Sequence, residues 1–307
     1  MHVVIEGLGA GRSGGLPAGE AKPDGRFRAI HMPVLTAPKI DTHCHVIDPA
    51  RFPYQASTAY RPAGQEIAPL DHFLRVMDQH GVRHALVVST HSGYSQDLAP
   101  VLDALDRGEG RFRGIAVVDS EISTAQLARL KARGMAGIAF NTPLNGTGQY
   151  AHTSDLLRRL KDLDMILQLQ VKEDHLLDLL SLIEASEVRV VFDHCGRPDP
   201  ASGIGSPGFQ ALLTLGRAGR ASVKLSGYSQ FSRERFPHVD AHPFVAALLE
   251  AFTPDRCMWG SDWPFLRAPE RIDYGPLLEL AEMLIPAEAS RTRIFWDTPS
   301  RLFGFTA

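Results

Sequence analysis

Two histidines separated by a single residue, His43 and His45 in the stretch "KIDTHCHVID", pose the first chemical question of this 307-residue chain. In an extended strand alternate side chains share a face, so both imidazoles would project to the same side. Such a pair can hold a metal ion, bind a substrate oxygen or fill a core. Two more residues have types that could join them: His194 in "VVFDHCGRPD" and Asp262 in "MWGSDWPF". Imidazole N–H groups can stabilise an oxyanion, a carboxylate can take a proton from water, and histidine with aspartate is a zinc donor set. The neighbours are assigned blander roles. Asp41 is expected to bond nearby backbone. Asp193 is expected to point away from His194 and order the turn. His72, His80, His84, His152 and His175 fall in or beside helical patterns and are assigned to the surface. His91 directly follows a strand and could line a mouth.

The elements around these residues repeat. Short β-rich runs are "KIDTHCH" (39–45), "HALVVST" (84–90), "GIAVVD" (114–119), "AGIAFN" (136–141), "MILQLQV" (165–171), "VRVVFDH" (188–194), "ASVKLSG" (221–227) and "RCMWGSD" (256–262). Amphipathic helical patterns separate them. "LDHFLRVMDQHGV" carries Leu70, Phe73, Leu74 and Met77 at three- and four-residue spacing before a glycine stop. "STAQLARLKARGM" opens with Ser123 or Thr124 as a cap. Strands alternating with helices imply a parallel sheet with right-handed crossovers. Eight such units predict an α/β fold of the (β/α)8 TIM-barrel type, with an open doubly wound sheet as the alternative.

A barrel places chemistry at the C-terminal ends of its strands. Those ends read His43 and His45, Ser89 and Thr90, Asn141, Gln170, His194, Ser226 and Asp262. Any one of these could be an ordinary loop contact. Together on one rim they predict a site, with Ser89, Asn141 and Gln170 as substrate contacts.

Bulk properties narrow the classes. Apolar residues make up 44% of the chain and charged residues 22%, the balance of a globular protein. A net charge of −3 and the lack of a basic run argue against a nucleic-acid partner. No stretch approaches the roughly 18 apolar residues of a membrane span. Cys44, Cys195 and Cys257 are scattered and odd in number, so packing thiols in a reducing cytoplasm are expected. "GLGAGRSGG" resembles a phosphate loop but lacks a surrounding strand–loop–helix unit. Residues 1–36 are assigned to a flexible Gly/Pro-rich tail, with Met32 as an alternative start, and 37–307 to the barrel.

Taken in order, "DTHCHV", "RGIAVVD", "GMAGIAFN", "VVFDHCGRPD", "VKLSG" and "MWGSDWP" resemble the amidohydrolase superfamily, and within it the branch of 2-pyrone-4,6-dicarboxylate lactonase and sulfomuconolactone hydrolase. The resemblance runs from Lys39 to Phe305. It implies a (β/α)8 barrel and water attack on a lactone or related carbonyl, with Asp262 as base and His43, His45 and His194 polarising the carbonyl oxygen. It also implies substrate contacts at Tyr60 and at Gln230.

Departures from the pattern refine this. Superfamily members with two metals bridge them by a fourth-strand lysine or glutamate and add a fifth-strand histidine. Here those regions hold Ile138, Ala139, Asn141 and Gln168 or Gln170. The expectation is therefore no metal, or one divalent ion, zinc first, on His43, His45 and Asp262, but not a binuclear centre. Arginines expected to grip a dicarboxylate are missing from "GIAFNTPLNGTG", and Gln230 stands where another would be, although Arg233 is close. A neutral, hydroxylated lactone fits better. The rival readings are a metal-dependent aromatic-acid decarboxylase, a sugar-lactone isomerase and a non-catalytic binding protein.

Overall fold

In a computed structural model the described residues are 33–306, apart from residue 59. Residues 1–32 of the expected tail lie outside them. Pro33–Thr36, assigned to that tail, form a short helix with Val34 buried.

Eight parallel strands follow in sequential order: β1 (Lys39–Cys44), β2 (Val82–Val88), β3 (Phe112–Ala116), β4 (Met135–Asn141), β5 (Ile166–Gln170), β6 (Arg189–Phe192), β7 (Ala221–Leu225) and β8 (Cys257–Trp259). Each pairs in parallel with the next. A helix follows each strand on the outside: α1 (Leu70–Gln79), α2 (Ala99–Arg107), α3 (Thr124–Ala132), α4 (Ser154–Asp162), α5 (His175–Ser186), α6 (Pro207–Arg217), α7 (His242–Phe252) and α8 (Tyr274–Leu284). The (β/α)8 expectation holds. The apolar spacing of α1 buries Leu70, Phe73 and Met77. Ser123 caps α3 by accepting from the Gln126 amide, while the Gln126 side chain reaches back to Ser123.

The alternation of the strands builds two apolar layers. Outward residues such as Val87, Ile138, Phe192, Val223 and Trp259 pack against the helices. Inward residues Ile40, Leu86, Ile115, Ile166, Val191 and Met258 fill one end of the barrel with Phe303 and Phe305 from the C-terminus. That plug leaves the opposite end, where the strands finish, for polar side chains.

The barrel closes between β8 and β1 through their extensions. The Asp262 amide donates to the His43 carbonyl at 2.8 Å, and the His45 amide to the Trp263 carbonyl at 2.8 Å. Asp41 ties this seam together, accepting from the Ser261 amide and hydroxyl at 2.9 and 2.6 Å and from Tyr274 Oη at 2.9 Å. This buried carboxylate bonds neighbouring groups, as expected. The closing bonds also fix three chemically interesting residues relative to one another.

Candidate active site

His43, His45, His194 and Asp262 converge at the strand C-termini. His43 Nε2, His45 Nε2 and His194 Nε2 lie 3.7, 3.7 and 3.8 Å from one oxygen, Asp262 Oδ1. These distances exceed a hydrogen bond and leave room for one shared atom. All four residues are buried.

Local backbone explains how they meet. His194 and Asp262 have φ of 50° and 63°, so the chain bends sharply just beyond β6 and β8. Gly227, at φ 59°, lets the β7 end approach the His194 ring; a Cβ there would come within 2.2 Å of His194 Nδ1.

The far ring nitrogens set the proton positions. His45 Nδ1 meets the Val88 carbonyl at 2.8 Å. A carbonyl only accepts, so Nδ1 carries the proton and a neutral His45 presents a bare Nε2 lone pair. His194 Nδ1 meets Ser226 Oγ at 3.1 Å. His43 Nδ1 has two neighbours, Asp193 Oδ1 at 3.2 Å and Lys224 Nζ at 3.3 Å. His43 Nε2 is buried with no partner. Burial pushes His43 down to about 3 despite Asp193, keeping it neutral at ordinary pH. Burial also lowers His194. For Asp262 burial acts upward, but the histidines, His194 foremost, outweigh it and hold the carboxyl below its usual range.

The donor chemistry fits a metal ion. A bare imidazole nitrogen faces an ionised carboxylate across 3.7 Å, two electron-rich groups with space for something positive between them. Partners on the far ring nitrogens are the usual support of a ligating histidine. His43, His45 and Asp262 form one possible ligand group, and His43, Asp193 and His194 another. Facing the cavity on β4 are Ala139 and Asn141, and on β5 Gln170; none of the three is an acidic, lysine or histidine side chain.

The cluster opens into a cavity of about 540 Å³ lined by His45, His194, Asp262 and the expected contacts Tyr60, Ser89, Asn141, Gln170 and Gln230, together with His91. Ser89 Oγ is buried and unpartnered, while Asn141 Oδ1 caps a short helix by accepting from the Leu144 amide. Tyr60 offers its ring rather than a free hydroxyl. Its Oη donates to Glu66 at 2.6 Å, and the Arg267 guanidinium stacks on its face at 4.4 Å. Gln230 Nε2 donates to the Leu266 carbonyl at 3.1 Å. A larger recess of about 800 Å³ opens where the strands begin, lined in part by Lys39, His84 and Trp296. It shares no residue with the His/Asp cluster, so the smaller cavity is the candidate site.

Three sequence expectations need correction. Asp193 does not merely order a turn. It continues the inward face of β6 after Val191, and its carboxylate holds His43, Lys224 and Gln168, with Lys224 Nζ at 3.1 Å and Gln168 Nε2 at 2.8 Å. The turned residue is His194, whose positive φ brings it to the same side. His84, assigned to the surface, is half buried in β2 and stacked on Phe305 at 4.9 Å. Arginine is not missing from the cavity, because Arg197 and Arg267 both line it. They arrive from the loops after β6 and β8, away from the fourth- and seventh-strand loops where arginines were sought.

The histidine–carboxylate cluster lies at the C-terminal mouth of a (β/α)8 barrel, the face on which enzymes of this fold carry their active sites. The chain belongs to the amidohydrolase family, whose model matches residues 40–305. It is 34% identical over 274 residues to the 4-sulfomuconolactone hydrolase of Rhizobium radiobacter, covering 86% of this chain and 89% of that one. It is 28% identical over 283 residues to the 2-pyrone-4,6-dicarboxylate hydrolase of Comamonas testosteroni, covering 88% and 91%. Among solved structures, a probable 2-pyrone-4,6-dicarboxylic acid hydrolase from Acinetobacter baumannii, with citric acid bound, superposes with a TM-score of 0.77 at 26% identity, covering 87% of this chain and 99% of that one. Among the described residues no helix is long and apolar enough to cross a membrane.

Proposed function

We propose that this protein opens a lactone by water attack. The observation that carries the reading is the convergence of three imidazole Nε2 atoms on Asp262 Oδ1 at the floor of a polar cavity. The similarity to lactone hydrolases supports it.

Asp262, ionised at neutral pH, accepts a proton from the attacking water. The water oxygen bonds to the lactone carbonyl carbon, and the C=O π pair moves onto the carbonyl oxygen. His194 can meet that oxyanion with Nε2–H, because Ser226 can donate to the opposite ring nitrogen, and His43 can do so in the tautomer in which Lys224 rather than Asp193 partners its Nδ1. Collapse breaks the ring C–O bond, and the leaving oxygen takes its proton back from Asp262. The product is a hydroxy acid, or its keto form where the lactone is an enol ester. Ser89, Asn141 and Gln170 orient the ring from the ends of β2, β4 and β5, and Tyr60 closes one side of the mouth.

One divalent ion, zinc by its donor chemistry, would be held by His43, His45 and Asp262. When bound, it would supply Lewis acidity and a lower pKa for water. The three free, buried thiols Cys44, Cys195 and Cys257 suit a cytoplasmic setting.

The test is acid release, followed by pH-stat, from a panel of muconolactones, pyrones and sugar lactones, with and without chelator. Stoichiometric acid from one lactone class supports the reading. Isomerisation without acid, or release of carbon dioxide from an aromatic acid, overturns it.

A further inference from the structure

Among the described residues that line the cavity, two arginines, Arg197 and Arg267, form no ion pair, and Arg197 is the less exposed of them. Arg197 is fixed by its backbone: the amide donates to the His194 carbonyl at 2.8 Å and the carbonyl accepts from the Glu173 amide at 3.0 Å. Its side chain lines the site wall and is mostly buried. Nε is buried without a partner, and Nη2 reaches only the Gln230 carbonyl, at 3.4 Å. Among the described residues no ion pair includes Arg197. Elsewhere the more exposed Arg51, Arg133 and Arg189 each hold an aspartate at 2.6–2.7 Å. The least hydrated guanidinium of these four is thus the unpaired one.

A guanidinium withdrawn from water without a counter-charge is unfavourable, and a planar fork with a free edge matches a carboxylate or sulfonate. The ends of β2, β4 and β5 offer Ser89, Asn141 and Gln170 to the cavity, and these are neutral. Arg267, the other arginine of the lining, is exposed and stacked on Tyr60, so water weakens its pull on an anion.

We propose that Arg197 is the specificity-determining residue of this site, binding a single acid group on the β6–β7 side of a lactone whose far side carries neutral polar substituents. This deepens the lactone-opening reading and rests on it. It replaces the neutral ligand that the sequence suggested, and it still disfavours a dicarboxylate, which would need a second buried cation.

The experiment compares kcat/KM for a lactone carrying one carboxylate with that for its methyl ester, in the parent protein and in Arg197→Met and Arg197→Lys. The acid-to-ester ratio should fall roughly 10²-fold in Arg197→Met, mostly through KM, and by less in Arg197→Lys, which keeps the charge but loses the fork. A ratio unchanged in both variants overturns the proposal while leaving lactone hydrolysis standing. Equal turnover of 2-pyrone-4,6-dicarboxylate and the mono-acid would overturn the single anchor. Calorimetric binding of tetrahydrofuran-2-carboxylate, a ring acid without a scissile ester, separates the two ideas. Binding that Arg197→Met abolishes and Asp262→Asn retains supports the anchor even if no lactone is hydrolysed. Binding unaffected by Arg197→Met argues against it. Thermal melting checks that each variant is folded, and Arg197→Gln replaces Arg197→Met if that variant is not.

Discussion

Lys224 Nζ lies 3.1 Å from Asp193 Oδ1, with both side chains wholly buried inside the barrel and His43 Nδ1 touching each. The pair supports the site rather than facing the cavity. Burial alone would raise the Asp193 pKa, but Lys224 and His43 outweigh it and hold the carboxyl far below its usual range. Burial draws Lys224 downward, with Asp193 opposing. Gln168 bridges the two, donating to Asp193 Oδ2 and accepting from Lys224.

Removing one partner of such a pair leaves an uncompensated buried charge. Lys224→Met should destabilise the fold by roughly 3–5 kcal/mol, measured by urea unfolding. Lys224→Met combined with Asp193→Leu should recover part of that loss, since the two effects are coupled. A fully additive double variant would mean that the ion pair is not the source.

Metal content is open to direct measurement. The spacing of His43, His45 and Asp262 suits one ion, and the Ala139, Asn141 and Gln170 positions add no second ligand group. Elemental analysis should give at most one tightly held metal per chain. Zinc added to chelator-treated protein should raise its melting temperature, and His45→Ala should remove the rise. Two tightly bound ions per chain would overturn this.

The buried imidazoles predict how stability depends on pH in chelator-treated protein. His43 has a folded pKa of about 3 against an ordinary 6.5, and His194 is shifted in the same direction. Below pH 6.5 the unfolded chain takes up protons that the folded one refuses. Stability is therefore present above that pH and lost as pH falls from 6.5 toward 3, at up to about 1.4 kcal/mol per pH unit for each such histidine. Asp193 and Asp262, also depressed, extend the loss below the ordinary carboxylate range. Denaturant unfolding at pH 7, 6, 5 and 4 measures the slope; a flat profile from 6 to 4 would contradict the burial argument.

The barrel and the histidine–aspartate set were legible in the sequence because both follow from strand alternation and the polar residues that end each run. Lys224 was legible by the same rule and was missed: it stands two residues before Ser226, which had been placed on the rim, so both share the inner face of β7. Gln168, two before Gln170, was read by that rule as the alternative inward residue of β5. The error over Asp193 and His194 arose where extended geometry ends. Alternation governs β6 only to Phe192, and the positive φ at His194 carries its ring back to the side of Asp193. Arg197 lies beyond that bend, so no periodicity could aim it at the cavity.

Asp262→Asn should abolish most turnover without unfolding the protein. Asp262 Oδ1 is the atom on which all three Nε2 nitrogens converge. The main chain of residue 262 is held independently of its carboxylate, by its amide bond to the His43 carbonyl at 2.8 Å. Asparagine keeps the shape and that bond but cannot take a proton from water. General-base contributions are typically 10²–10⁴-fold, so kcat on the identified lactone should fall by roughly that factor or more, with little change in circular dichroism. Because the histidines hold Asp262 ionised through neutral pH, the parent protein should show no loss of kcat from this group between pH 8 and 5 while it remains folded. A limb in that range would have to come from another residue. A folded Asp262→Asn protein that keeps most of its activity would move the base elsewhere, with His194 the next candidate, tested by His194→Asn in the same assay.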